Sequence, residues 1–538
     1  MLKKENNEKK NFFKVRYNHW FNQKEFSKDY NYTENIFWQT CSDLKQILNE
    51  YHNLNLTTKS WSILLFPWLY EYTSVIYDRW LYIINQKKQR NYEFKKKNIY
   101  LKKSKNFFYL SQNKDWNNYQ YYKIQKFLSK ETYKEKNFFI KKKNFFLSEI
   151  LIRTISILRI FNIFLIDKNN IFVDNNPFET KKSFKTFYNS AILKLIKKVN
   201  EFLFELYDYN INERLRLKKI INKKKSLKGL SFKNFFLENI AFDLPCEIVE
   251  GFKIHLKKRI KIPRSKNIFS SYSHFDNFNF KICFSELIQN NCKINILEHG
   301  GGLPHKGMNF EFEEKVYSKK YVWFKRHNLN QQQFLNENIK NEYHNISENL
   351  NSLKDRAIII LNVYPKYFAK MAFAKHNFNY VDELSFFNKF LKDLPKKKQK
   401  KIYLKPHPSS DHRYYLDPTL DLLSKNKYIK IIYKKENFKD VLKKNKLIIC
   451  TSYETTFNQS MLSGTPTILL MNMKNFSMHP KVKKIFRELV KAKIIFTEPS
   501  RASKHVNEII NDPLKWYNSK KIQNIRNNFL KSAFNLKT

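Results

Sequence analysis

Glycine is almost missing from this chain, with 7 among 538 residues. A backbone so short of glycine has few places where it can turn left-handed or approach a ligand closely. Neither GxGxxG nor GxxxxGK[ST] occurs, so dinucleotide redox chemistry and P-loop chemistry are both unsupported. Cysteine is also scarce: Cys41, Cys246, Cys283, Cys292 and Cys450 form no CxxC and no metal-ligand spacing. An odd, scattered set excludes a disulfide scaffold and fits free thiols in a reducing cytosol. No Asp-x-Asp is present, which argues against a divalent-metal clamp on a nucleotide diphosphate. The first residues lack the apolar core of a signal peptide. A cytoplasmic protein is therefore expected.

Acidic residues are in deficit. Against 101 Lys and Arg stand 48 Asp and Glu, a net charge of +53. Such charge suits a polyanion, either nucleic acid or an anionic membrane. It also suits nucleotide bias, because Lys, Asn, Ile, Tyr and Phe share AT-rich codons and all five abound. The basic residues are spread along the whole chain, so bias is the better reading. Peripheral contact with an anionic inner membrane would be a secondary benefit, and no specific nucleic-acid partner is implied. Long uncharged apolar runs are missing too. Residues 61–83 carry Glu71, Asp78 and Arg79, and residues 147–166 carry Glu149, Arg153 and Arg159. Each charge at a bilayer centre would cost roughly 2.5–3.5 kcal/mol, so both stretches read as buried or amphipathic helices.

What is present is ample for folded domains: 42% hydrophobic and 17% aromatic residues rule out wholesale disorder. The length implies more than one core, and no internal repeat is visible. Residues 1–50 form a polar and aromatic extension. An N-terminal α/β domain over 51–330 is expected, with a Lys/Asn-rich insertion or loosely packed helical segment near 85–145. Within it, "KNIFSSYSH", "FNFKICFSELIQNN" and "KINILEHGGG" read as strand, helix and strand. The polar segment 327–356 reads as a linker. From 357 to 538, "AIIILNV", "KKIYLKP", "YIKIIY", "KLIIC", "PTILL" and "KIIF" are short apolar strands, most of them separated by helical patterns. That alternation predicts a doubly wound parallel sheet. The expected fold class is α/β, with two Rossmann-like domains facing a cleft and helical additions at the N-terminus.

Ligands of open α/β sheets sit beyond the carboxyl ends of strands, and three polar clusters fall at such ends. In "NILEHGGGLPHKG" four of the seven glycines gather beside two histidines. Gly300, Gly301 and Gly302 permit close backbone approach to a ligand. His299 is placed to take a proton from an attacking hydroxyl, with Glu298 orienting the imidazole or acting as base itself. His305 and Lys306 add donors for phosphate or carboxylate. The competing reading is a tight turn with a structural histidine. In "LKPHPSSD", two prolines stiffen the loop around His407, and Lys405 and His407 are donors for a phosphate. A plain proline-bounded turn would look similar. In "CTSYETTFNQSMLSGTPTILL", Ser452, Thr455 and Thr456 cluster where a helix begins, the arrangement of an anion site. Ordinary N-capping would need only one of these hydroxyls. Together the clusters put a candidate base on one wall and an anion cradle on the other. No metal is expected.

These blocks resemble those of a family of bacterial transferases found with surface-polysaccharide biosynthesis genes and having a GT-B-like build. "WSILLFPWLYEYTSVIYDRWLYI", ending in Tyr77, Asp78 and Arg79, resembles the family's N-terminal block. "EHGGGLPHKG" resembles its Gln-His-Gly-Gly-Gly block, and "LKPHPSSD" and "TSYETTFNQSMLSGTPTILL" its His-Pro and Ser/Thr blocks. The tail from "SRASKHV" onward, with Trp516, is similar to its closing segment. More distantly the arrangement looks like CDP-glycerol glycerophosphotransferases, sialyltransferases and Kdo transferases. The resemblance implies a metal-independent glycosyltransferase with a CMP- or CDP-linked nucleotide-sugar donor and a glycan or lipid-linked acceptor. It carries donor-phosphate binding onto His407, Ser452, Thr455 and Thr456, and the base onto His299. Asp78 and Arg79 are candidates for the acceptor side, against a helix-packing ion pair. The alternatives are polyol-phosphate transfer from a CDP-alcohol, a basic nucleic-acid-binding protein, and an inactive relative. This chain departs from the family at Glu298 (usually Gln), at "LPHKG" (Tyr-Gly expected), at "YVWFKRHN" (Trp-Gly-Trp expected) and at Lys405 (usually Arg), which loses bidentate geometry.

Overall fold

A computed structural model describes residues 20, 22–86, 92, 100–131, 170–173, 206–225, 228–258, 267–298, 308–324, 330–333, 340, 342–344, 346, 353–372, 376–410, 413–432, 436–473 and 482–534. Two parallel sheets organise them. The first comprises β1 (Asn170–Phe172), β2 (Asn267–Ser270), β3 (Lys293–Leu297), β4 (Lys319–Val322) and β5 (Gln331–Gln333), hydrogen-bonded in chain order. The second contains β6 (Lys354–Ile360), β8 (Ile402–Lys405), β10 (Lys430–Ile431), β11 (Asn445–Cys450), β12 (Thr467–Leu470) and β13 (Ile495–Phe496). Its spatial order is β10-β8-β6-β11-β12-β13. Every adjacent pair in both sheets is parallel. A small antiparallel ribbon, β7 (Tyr364–Pro365) with β9 (Tyr415–Leu416), rises from the segments that follow β6 and β8.

The second sheet starts at its centre, grows outward through β8 and β10, then restarts on the other side of β6 at β11. That is the doubly wound order, and it places the topological switch point between β6 and β11. Ile358, Ile359, Leu447, Ile448 and Ile449 in these central strands are fully or almost fully buried, as continuous apolar strands covered on both faces must be. The expected α/β class, with two Rossmann-like parallel sheets, is the observed fold.

Three strands of the first sheet escaped the sequence reading. β1 is only three residues long, β4 lies in a charged stretch, and β5 is three glutamines inside the polar segment read as a linker. An edge strand needs only backbone hydrogen bonds on one side, so its side chains can stay polar.

A helical layer precedes the sheets. The helix Gln23–His52 starts at Asn22, whose side chain accepts the Lys24 amide, and ends at Asn53 in a left-handed conformation. Its buried face, Phe26, Tyr30, Thr33, Phe37, Cys41, Leu44, Leu48 and Tyr51, follows helical spacing. It packs on the helices Thr58–Leu65, Trp68–Ile84 and Ile211–Lys224. The Lys/Asn-rich region is firmer than expected where it is described. The helix Lys114–Leu128 buries Trp116, Asn117, Gln120, Tyr121, Lys123 and Ile124. There Asp243 accepts hydrogen bonds from Lys123 (2.7 Å) and from the Tyr72 hydroxyl (2.6 Å). No described helix is long and apolar enough to cross a membrane; residues 147–166 lie outside the described set.

The helix Lys520–Phe534 ties the two sheets together. Phe529 packs on Phe457 of the second unit (5.6 Å between rings) and on Phe324 (5.6 Å), and Phe534 packs on Trp323 (5.2 Å), both just beyond β4.

Candidate functional site

β11 ends at Cys450, and the chain turns through Thr451, Ser452 and Tyr453 into the helix Thr455–Ser463. Thr451 donates its hydroxyl to the carbonyl of Ile360 at the end of β6 (2.7 Å), so the turn is pinned across the switch point. Glu454 occupies the N-cap without a capping hydrogen bond from its side chain. The first amides of this helix are thus uncapped by that residue, and the helix dipole adds partial positive charge there. Ser452 is buried, while Thr455 and Thr456 are half-buried in the first turn. One turn further, Asn458 is fully buried, with neither its amide oxygen nor its nitrogen hydrogen-bonded among the described residues.

At its other end the helix stops at Gly464, held at φ +80° where a side chain would be strained. Arg526 donates from Nε to the Met461 carbonyl (2.8 Å) and from Nη2 to the Leu462 carbonyl (3.2 Å). A buried cation at a helix C-terminus satisfies orphan carbonyls and favours the dipole. Arg526→Ala is expected to lower stability by roughly 1–3 kcal/mol, the cost of unsatisfied buried acceptors. Denaturant titration of both proteins would measure it.

β8 delivers the second cluster beside β6. Lys405, its last residue, is buried and donates Nζ to the carbonyl of Glu436 (2.8 Å). Burial lowers its pKa, and Glu436 opposes that shift. In the following loop, His407 Nδ1 accepts the backbone N–H of Ser409 (3.0 Å). That bond requires Nδ1 to be unprotonated, so the neutral ring carries its proton on Nε2 and can donate from there. Lys405, His407, Ser452, Thr455 and Thr456 therefore all belong to the carboxyl edge of the second sheet, around its switch point.

The first sheet presents Glu298 at the end of β3. Its backbone N–H donates to the Tyr321 carbonyl (2.8 Å), and its carboxylate accepts the Trp323 N–H (2.9 Å). Sequence reasoning did not anticipate Trp323 as the partner, because a backbone donor leaves no signature in residue type. His299, Gly300, Gly301, Gly302, His305 and Lys306 lie outside the described residues. The helix Met308–Val316 resumes beyond them and carries Glu313. Glu313 sits 2.9 Å from His274 Nε2 and 2.5 Å from Lys320 Nζ, and Ser270 Oγ lies 3.2 Å from His274 Nδ1. All four residues are buried. Burial alone would raise the Glu313 carboxyl, but the Lys320 ammonium and the His274 hydrogen bond outweigh it and hold it below the usual carboxylate range. The network joins the end of β2, β4 and the helix after the glycine loop.

Asp78 and Arg79 lie in the helix Trp68–Ile84, both buried and paired to each other. Arg79 also donates to Asn117 Oδ1 (2.8 Å), to the Phe368 carbonyl (3.1 Å) and to the Ser111 carbonyl (3.4 Å). This pair joins the helical layer to the segment after β7.

The fold and these clusters define an α/β protein with hydroxyl, lysine and histidine side chains gathered at the switch point of one sheet and a fixed carboxylate at the carboxyl edge of the other. The family model described as LIC12162 family transferase matches residues 2–537, and the chain belongs to that family: it is a transferase. No curated protein matches it. Among solved structures it is similar to the wall teichoic acid polymerase TagF, at 11% identity over 73% of this chain and 94% of that one, with a TM-score of 0.29.

Proposed function

We propose that this transferase moves a sugar from a CMP- or CDP-linked donor to a hydroxyl of a glycan or lipid-linked acceptor in bacterial surface-polysaccharide assembly, without a metal. The supporting observation is the switch point between β6 and β11, where the uncapped helix Thr455–Ser463 meets the hydroxyl turn and the Lys405–His407 loop adjoins. A departing nucleotide phosphate needs donors already aimed at its developing charge. Helix amides, Ser452, Thr455 and Thr456, His407 Nε2 and the Lys405 ammonium are of that kind. On the acceptor side His299 takes the hydroxyl proton as the new bond to the sugar carbon forms and the bond to phosphate oxygen breaks. The leaving nucleotide keeps the electron pair. The protein works at the cytoplasmic face of the inner membrane, where its positive charge favours peripheral contact with anionic lipid.

Glu298 fits the role of a positioning residue, because its carboxylate is engaged by the Trp323 amide. Glu298→Gln keeps an oxygen acceptor there and is expected to retain turnover within about threefold. Glu298→Ala orphans the amide, at a cost of roughly 1–3 kcal/mol, and turnover should fall on the order of 10- to 100-fold. Loss of activity in the glutamine variant would instead make Glu298 the base. Mass spectrometry of the product tests the reaction itself. A glycoside is expected; a phosphodiester would show polyol-phosphate transfer.

A further inference from the structure

An aromatic and basic cluster joins the carboxyl edges of the two sheets. Tyr272 lies two residues beyond the end of β2 and is 44% exposed; Tyr109, in the helix Phe107–Ser111, is 46% exposed. Tyr414 and Tyr415 follow the His407 loop, at the start of β9. Phe108 stacks on Tyr415 (5.2 Å between rings, 27° between planes) and Tyr109 packs on Tyr414 (5.1 Å). Tyr272 lies within the electrostatic reach of Tyr109, Lys105 and Asp276, and its segment packs on residues 104–106. Two exposed cations border the rings. Lys105 is one; the other is Arg413, which lies 5.0 Å from the Tyr414 ring centre and donates to its hydroxyl (2.8 Å).

We propose that Tyr109 and Tyr272, backed by Tyr414 and Tyr415, are the acceptor platform, and that the acceptor is a saccharide bearing a phosphate or carboxylate. The inference rests on the transfer reading above, whose donor site it complements. The C–H face of a pyranose is apolar with weakly positive hydrogens and matches the negative face of an aromatic ring. Lys105 and Arg413 supply the charge complement for an anionic substituent. Tyrosine suits such a place, since its body is apolar and its hydroxyl stays wet. The platform begins one strand away from the Glu298 end of β3 and reaches the loop system of β8. It therefore spans the edge of the base and the edge of the donor phosphate.

The test uses the full-length protein on an array of acidic and neutral bacterial glycans, with poly(U) as a control surface, and CDP binding followed separately by calorimetry. Acidic glycans should bind best. In the Tyr109→Ala/Tyr272→Ala double variant, which keeps every charge, their signal should fall about tenfold, as expected for lost ring contacts. CDP affinity should be unchanged. In Lys105→Gln/Arg413→Gln the preference for acidic over neutral glycans should vanish while neutral binding persists. Equal glycan binding by wild type and the tyrosine variant overturns the platform, since that signal would come from the overall charge of +53. Poly(U) binding lost in parallel with the glycans also overturns it, in favour of a nucleic-acid surface. If glycans behave as stated but CDP does not bind, the donor reading fails and the platform stands.

Discussion

Replacing Glu313 with alanine is expected to destabilise the protein by roughly 3–5 kcal/mol, because it strands Lys320 in the interior without its carboxylate. Lys320 and His274 are each 1% exposed, so neither can turn to water for compensation. The loss should carry a pH signature. The Glu313 carboxyl lies below its usual range in the folded protein, so unfolding raises its affinity for protons. Its stabilisation is complete above the ordinary carboxylate pKa and disappears as pH falls through the lower folded value. Urea titrations from neutral to acid pH should show wild type losing stability faster than Glu313→Ala over that window. Equal stability of the two proteins at neutral pH would remove the network as a structural element. Function should follow. The network anchors the helix Met308–Val316 to β4 and to the end of β2, so turnover should fall along with stability.

His407→Ala is expected to weaken binding of the nucleotide product roughly 10- to 100-fold, the loss of one hydrogen bond to a charged phosphate, about 1.5–3 kcal/mol. Turnover should suffer more than KM, because phosphate charge grows as the bond to the sugar breaks. The Ser409 amide fixes the proton on Nε2, and asparagine or glutamine at position 407 would present an N–H without the ring. Partial recovery by either variant is consistent with donation. A variant with unchanged nucleotide affinity and turnover would place His407 outside the site. Steady-state kinetics and calorimetry on the same samples separate these outcomes.

Much of this was legible in residue order, and the failures have physical causes. The central strands of the second sheet read directly from "AIIILNV", "KLIIC" and "PTILL", because buried parallel strands must be continuously apolar. β5 did not, since an edge strand of three glutamines is defined by pairing with β4 and not by its side chains. The helix Gln23–His52 was expected only as an N-terminal helical addition without bounds, because its buried stripe of helical spacing is set in a polar, aromatic stretch. The packing of residues 100–131 was hidden for another reason. Lys123 and Asn117 look like solvent residues until Asp243 and Arg79, far off in sequence, arrive beside them. For the site, chemistry-bearing side chains at strand ends were visible. Their supports were not: the Trp323 amide, the Glu436 carbonyl and Arg526 act through backbone atoms or over long sequence separations.

The most direct measurement is a crystal structure of the protein with CMP or CDP bound. The nucleotide phosphate should lie against the first turn of the helix Thr455–Ser463, within hydrogen-bonding distance of Thr455 or Thr456 and of His407 Nε2. A phosphate bound away from the β6–β11 switch point, or no nucleotide retained at millimolar concentration in well-ordered crystals, would contradict a donor site there.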